Sequence, residues 1–447
     1  MATISERYDA LLRWVEDDGG HLNPSIEIYH DDVTKGSFRV KDLCSIGVDD
    51  IIVTLPLSKS LSYLDAIRGH PTFASSPSSP SSSFDASGNE SGENFPGEFL
   101  KETPPHVVGR FFLMQQYLLG PESKWWPYIR TLPQPEHMSN ILPVMWPSDD
   151  LEFLEGTNAS TAIQDIKVTL KKEHKSALKL LPQHYHAKYT RPLYYWAYCI
   201  FTSRSFRPSL IFTDEASLSL PCGIDDFSVL LPLYDIGNHS PLAKIAWTTD
   251  DQTKMCMLKS RQTYSAGEQV FNNYGMKTNA ELLLGYGFIL PENDDLHNDY
   301  VHIKTRADPE AGDLAASHVI SLKPMAHRSS FVGRSKLLSV DSLSCLPYFS
   351  HVQDTLVAAL YESLTKGGGE TSNTCLNKIL RGEIQDEVLR KIVDTLGAKL
   401  SLDLEEMEIT EPEYEPINSN QKLAVIYREQ CRKVLQNALR SLLAADG

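Results

Sequence analysis

Apolar positions early in the chain follow a helical period. Tyr8, Leu11, Leu12 and Val15 stand at i, i+3, i+4 and i+7, which predicts an amphipathic helix near the N-terminus. The period then changes. Ile26-Glu27-Ile28 alternates, Ser37–Val40 alternates weakly, and Asp50–Pro56 is a β-rich run stopped by proline, so Ser25–Leu57 reads as short strands. Pro71–Pro96 breaks the pattern altogether. Its Ser, Pro, Gly, Asn and Asp content offers too little apolar surface to offset ordering entropy, and it reads as a disordered insertion. From Pro105 to Arg207 the chain turns helical and aromatic. Val107, Phe111, Met114 and Leu118 keep helical spacing, and Trp125, Trp126 and Trp196 read as core bulk rather than a cage for a methylated amine.

Leu230–Phe288 is different in kind. An apolar run is stopped by Asp235, Asn238 and His239, three polar groups where a core segment would continue. Two β-like runs follow, Ala243–Thr248 and Lys254–Ser260, joined by a turn-rich Thr249–Thr253. Then come the polar cluster Asn272-Asn273-Tyr274-Gly275, a short helical segment at Asn279–Leu284, and Gly285-Tyr286-Gly287-Phe288. Asn298–Ile303 reads as a last strand. Beyond Arg306 a helical lobe is expected, with helices at Gln353–Leu364 and Asp386–Leu396 and a solvated acidic loop over Leu402–Glu415. Asn420–Leu443 reads as the longest helix, with Leu423, Tyr427, Cys431, Val434, Ala438 and Leu442 on one stripe.

A chain of 447 residues exceeds one ordinary core, so two or three packed units are expected. No apolar run approaches the ~18 residues that span a bilayer, and the N-terminus lacks an apolar signal core. The expected location is therefore intracellular, cytoplasmic and/or nuclear. Cys44, Cys199, Cys222, Cys256, Cys345, Cys375 and Cys431 are scattered, with no CxxC spacing, and read as reduced thiols rather than disulfides or a zinc cluster. A net charge of −16 without a basic stripe disfavours nucleic-acid binding. It suits a basic protein partner, or equally plain solubility.

The motif DxxNHS at Asp235–Ser240, followed by GEQVFNNYG at Gly267–Gly275 and NAELLLGYGF at Asn279–Phe288, resembles the SET-domain methyltransferases. More narrowly, it is similar to the branch typified by the RuBisCO large-subunit lysine methyltransferase. The resemblance implies an α+β fold: a SET-type core of small sheets with a helical insert, and an all-α C-terminal lobe. The implied division is an N-terminal helix (1–22), a first core part (23–64), the insertion (71–97), a helical insert (98–211), a second core part (212–304) and a substrate-docking lobe (305–447). It also implies S-adenosylmethionine as cofactor, held by Thr34, Lys35, Gly36, Ser203, Arg204, Asn238, His239 and Tyr274. Only the second glycine of the family's GxG pattern is present, as Gly36, with Thr34 at the first position. Gly36 reads equally well as a plain hairpin glycine. Arg204 would meet the cofactor's carboxylate, with a helix-end salt bridge as the alternative. Tyr274 and Tyr286 match the two catalytic tyrosines, and Asp235, Arg204 and Tyr286 would lie on the substrate side.

Methyl transfer from a sulfonium is an in-line displacement, so alignment is the enzyme's main task. The nucleophile must be a neutral amine, although a free lysine titrates at about 10.4. A narrow, poorly solvated channel beside a cationic donor lowers that value, and tyrosine hydroxyls line such a channel without adding charge. No metal is needed; His184-Tyr185-His186 and His297-Asn298-Asp299 lack an obvious third ligand nearby. The expected function is protein-lysine N-methylation of a basic non-histone protein, such as a ribosomal or translation protein, by a monomer acting without nucleic acid or membrane. Histidine methylation is one alternative, although in that case the resemblance implies a changed pocket at the position of Tyr286. A catalytically silent scaffold that binds a partner is the other.

Overall fold

The computed structural model describes residues 3–30, 36–68, 95–212, 220–250, 252–293, 295–305, 317–332, 347–365, 374, 377–379, 381 and 383–444. Most of the Ser/Pro-rich stretch, together with Thr34, Lys35, Cys345 and Cys375, lies outside the described residues. The chain forms two compact units, Met1–Met138 with Val168–Gly275, and Ser139–Lys167 with Met276–Gly447.

The first unit begins with helix α1 (Ile4–Glu16). Thr3 caps it in a reciprocal box with Glu6, and Leu11 and Val15 face inward. Ten short strands follow among the described residues: β1 (His21–Leu22), β2 (Ile26–Tyr29), β3 (Ser37–Val40), β4 (Ile51–Pro56), β5 (Leu61–Ser62), β6 (Ser205–Phe206), β7 (Val229–Leu230), β8 (Ile245–Asp250), β9 (Met255–Ser260) and β10 (Gln269–Val270). They form three small sheets with strand orders β1-β4-β9-β8, β10-β3-β2 and β5-β7-β6. Ile52, Val53 and Leu55 of β4 are wholly buried, which explains its unbroken apolar run. β8 and β9 pair as an antiparallel hairpin, and the Asp250 carboxylate accepts from the N–H groups of Gln252 (2.8 Å) and Thr253 (3.1 Å) in its turn.

Between the strands of this unit lie helices α2 (Pro105–Leu119) and α4 (Arg191–Arg204), and α3 (Asn158–Leu178) ends here. Val107, Phe111 and Met114 are buried as their spacing predicts, but Leu118 at the end of α2 is 42% exposed. Trp125 and Trp196 are core residues. Each indole N–H finds a backbone carbonyl, that of Ser60 (2.8 Å) and that of Pro133 (2.7 Å) respectively.

In the second unit α5 (Asn279–Tyr286) precedes the antiparallel pair β11 (Tyr300–Lys304) and β12 (Ser317–Ser321). The strand at Asn298–Ile303 is therefore not the last. β12 falls inside a stretch expected to be helical throughout, because its buried Val319, Ile320 and Ser321 complete a two-stranded sheet. Helices α6 (Asp354–Thr365), α7 (Asp386–Ile409) and α8 (Ser419–Leu443) follow. Here too the expectation changes. Leu402–Ile409 continues α7 instead of looping out, since Met407 is buried and Lys399 pairs with Asp403 one turn on. In α8, Tyr427, Cys431, Val434, Ala438 and Leu442 are buried along one stripe, and Leu423 packs partly against the same core.

Polar hubs fix the second unit. The buried Asp150 carboxylate accepts from the side-chain amides of Asn418 (2.7 Å), Asn420 (2.8 Å) and Gln421 (3.0 Å) around the start of α8. Arg428, 1% exposed, pairs with Glu411 and donates to the Glu155 and Met407 carbonyls. Glu411 also pairs with Arg432, so one carboxylate of the acidic stretch is tied down inside the unit.

Candidate active site

DxxNHS opens immediately after β7. Leu233 adopts φ +71°, a conformation costing a non-glycine residue about 1–2 kcal/mol, and starts a single 3-10 turn at Tyr234–Ile236. That turn aims Asp235 inward. Its side chain is 1% exposed, and Oδ2 accepts from Tyr128 Oη (2.9 Å) and Arg204 Nη1 (3.1 Å). Arg204 Nη1 also reaches the Asp235 carbonyl at 3.1 Å. Asp235, expected on the substrate side, is bound to Arg204. Asp235 Oδ1 is buried and takes no hydrogen bond from any described residue.

Burial pushes the Asp235 carboxyl up, and Arg204 and Tyr128 pull it back toward the ionised form. Burial also raises Tyr128 far above its ordinary value, with the Asp235 charge adding to the effect. For Arg204 burial acts downward, but Asp235, Tyr128 and Tyr8 outweigh it and keep the guanidinium charged. Arg204 is the last residue of α4, so the helix end places it beside the turn. Its Nε and Nη2 have no hydrogen-bond partner among the described residues, and the side chain is 27% exposed. Ser203 Oγ folds back onto the Cys199 carbonyl of the same helix at 2.8 Å.

Asn238 and His239 lie against the second motif. His239 and Asn272 form a parallel bridge: the Asn272 N–H donates to the Asn238 carbonyl (2.8 Å), and the Ser240 N–H donates to the Asn272 carbonyl (3.0 Å). The Tyr274 N–H donates to His239 Nδ1 at 3.0 Å, and the two rings stack at 4.9 Å and 15°. With Nδ1 accepting, neutral His239 carries its proton on Nε2. Tyr274 Oη donates to the Gly237 carbonyl at 2.9 Å, so its phenol is held by that bond and by the stacked His239 ring. Asn238 Nδ2 donates to Gln269 Oε1 (3.0 Å), which also accepts from Ser37 Oγ (3.2 Å), while Gln269 Nε2 donates to Tyr29 Oη (2.7 Å). Gln269, Ser37, Tyr29 and Tyr128 support the site; Gln269 sits inside the GEQVFNNYG motif, and no local motif announces the other three.

Tyr286 belongs to the second unit. It closes α5, whose start is capped by the Thr278–Glu281 box, and Gly287 follows at φ +78°. A Cβ at Gly287 would stand 1.9 Å from the Ile141 carbonyl oxygen, so only glycine fits that exit. Lys277 Nζ lies 5.7 Å from the Tyr286 ring centroid. Burial raises the Tyr286 phenol, with a further push from Glu281. Among the described residues no group of three His, Cys, Asp or Glu side chains is placed to hold a metal ion.

This arrangement of small sheets and motifs is the SET-domain fold. The structure matches that of the SET domain of LSMT bound to methyl-lysine and AdoHcy with a TM-score of 0.69 at 18% identity, covering 99% of this chain and 92% of the other. Rubisco LSMT bound to AdoMet matches with a TM-score of 0.63 at 19% identity, covering 99% and 92%. In sequence the chain is 31% identical over 348 residues to the ribosomal lysine N-methyltransferase set10 of Schizosaccharomyces pombe, covering 75% of this chain and 57% of that one. It thus spans under two thirds of that relative's length. The protein-lysine N-methyltransferase EFM1 of Saccharomyces cerevisiae is 37% identical over 99 residues, 21% of this chain and 16% of its own. The human actin-histidine N-methyltransferase is 27% identical over 193 residues, 41% and 29%. No protein-family model matches the chain.

Proposed function

We propose that this protein is an S-adenosylmethionine-dependent protein-lysine N-methyltransferase acting on a basic non-histone protein, of the kind a ribosomal or translation protein represents. The observation that carries the reading is the Tyr274 node. A phenol is locked by His239 and by the Gly237 carbonyl, one chain step from Asn238, in the fold of proteins solved with AdoMet and lysine. The residues fit the cofactor. Arg204 offers unused N–H donors for a carboxylate, and Asn238 and His239 present a polar edge on a rigid double segment. When bound, the cofactor supplies an electrophilic methyl group.

This chain's residues do the rest. Gly36 lines the cofactor with backbone, while Ser203, Arg204, Asn238 and His239 hold its polar groups. Tyr274 orients the transfer and Tyr286 shapes the lysine pocket. Asp235, spent on Arg204 and Tyr128, positions the guanidinium. His239 is no general base at Nδ1, because that lone pair receives the Tyr274 N–H. Retention of Tyr286 favours lysine over histidine as the acceptor.

Titration calorimetry with S-adenosylmethionine tests this. Micromolar-range binding is expected for the wild type and at least tenfold weaker binding for Asn238→Ala, since a polar side chain facing the ligand is lost. Radiolabelled methyl transfer into lysine of a basic protein in cell extract would follow. A well-folded wild type that neither binds the cofactor nor labels protein would overturn the reading.

A further inference from the structure

Ser37, at the start of β3, is wholly buried, so its hydroxyl needs partners inside the protein. Its oxygen accepts the Asn238 N–H at 3.3 Å, and its hydrogen goes to Gln269 Oε1 at 3.2 Å. That donation fixes the sense of the groups beyond it. Gln269 Oε1 is the accepting end of its amide, so it also receives Asn238 Nδ2 at 3.0 Å. Nε2 is left to donate to Tyr29 Oη at 2.7 Å. Gln269, Ser37 and Tyr29 come from the three strands of one sheet, β10-β3-β2, and Tyr29 stands directly across from Ser37 in its register. Asn238 is thus held twice, by its backbone N–H and by its amide nitrogen. With Nδ2 spent on Gln269, Oδ1 is the end of this half-buried amide that takes no hydrogen bond from a described residue.

Resting on the methyltransferase reading, we infer that Gln269 is a positioning residue: its amide, set by Ser37 and Tyr29, turns Asn238 so that it meets the methyl donor as a hydrogen-bond acceptor. An unheld asparagine presents its oxygen or its NH2 to a ligand with little difference in shape, because the two ends are alike in size. S-adenosylmethionine carries N–H and O–H donors at its ammonium, its adenine amino group and its ribose hydroxyls. An amide turned the wrong way would set donor against donor at any of them. Fixing the amide before the ligand arrives removes the wrong orientation and the ordering cost that goes with it. Tyr29 acts one step further out, by deciding which end of Gln269 faces Asn238. A carboxylate at position 269 has two equivalent oxygens and needs no such decision.

The test is calorimetric, on the full chain, with S-adenosylhomocysteine as the probe. Gln269→Met keeps the length of the side chain and removes both ends of the amide, so binding should weaken about tenfold. Gln269→Glu still accepts from Asn238 and Ser37 and should stay within about threefold of the wild type. Tyr29→Phe should weaken binding about fivefold in the wild type and not at all in Gln269→Glu, where no amide has to be oriented. Equal losses for Gln269→Met and Gln269→Glu would mean that Gln269 does not act by accepting from Asn238, and would overturn the inference. So would a Gln269→Met variant that unfolds at lower urea yet binds like the wild type, or a Tyr29→Phe loss that is the same in both backgrounds, since each marks a role in packing alone. Where Gln269→Met does not fold, the cycle of Tyr29→Phe and Gln269→Glu decides by itself. If the wild type does not bind the probe, the methyltransferase reading has failed and this inference falls with it. Binding by the wild type, lost in Asn238→Ala, separates the two questions.

Discussion

Asp235 and Arg204 show how much of the site hangs on a single pair. Both are drawn out of water, and the carboxylate is nearly sealed by Tyr128. Removing one charge of such a pair leaves the other uncompensated, which costs roughly 3 kcal/mol. Asp235→Asn is accordingly expected to lower the unfolding free energy measured by urea titration at neutral pH by that amount, and Tyr128→Phe by roughly 1 kcal/mol. Equal, small effects for the two variants would show that the pair is solvated and that Arg204 is not held in place. At this scale the sequence was readable where chemistry clusters locally. Asn238, His239 and Tyr274 stand out because polar groups interrupt an apolar run. Ser37, Tyr29 and Tyr128 were not readable, since each reaches the site from a separate segment whose local pattern is that of ordinary helix or strand.

Among elements, the entry to β11 carries opposed titrations. Burial, helped by Lys323, holds His297 down at about 4, so it is neutral in the fold. The stability it provides is complete above its ordinary 6.5 and is lost as pH falls toward 4. Burial pushes Asp299 up to about 6, against the pull of the Asn279 amide. Its contribution has the opposite sense, complete below the ordinary 3.8 and lost as pH rises through 6. The two slopes offset each other between pH 4 and 6. Asp299→Asn removes one of them, so unfolding free energy measured by urea titration should fall more steeply with acid in the variant than in the wild type. Parallel curves would show that Asp299 is ionised throughout. Elements with a clean period, such as α1, β4 and α8, were legible. The end of α7 was not, because its acidic composition reads as solvated and the partners of Glu411, Arg428 and Arg432, lie on another helix.

For the whole molecule, the partition into two units cuts across the order of the chain. Residues up to Gly275 and from Met276 onward belong to different units, although one continuous motif region spans them, and Ser139–Lys167 groups with the second. No period in the sequence marks either cut, because a boundary in contacts leaves no trace in hydropathy when helices continue through it, as α3 does. The fold class was legible from the motif pair alone; which unit each tyrosine occupies was not.

The bridge between His239 and Asn272 sets an order of events as the chain folds. Parallel neighbours need a crossover, and here it contains the β8–β9 hairpin. The hairpin joins adjacent residues and closes quickly, whereas β10 must first find β3, more than two hundred positions away, before Phe271–Gly275 settles beside Gly237–Ser240. The proposed cofactor edge is thus assembled last. In a refolding experiment, Trp247 fluorescence on β8 should recover before S-adenosylmethionine binding does; simultaneous recovery would show that the two form as one step. A newly made chain would then be compact for an interval in which the proposed cofactor edge is not yet formed.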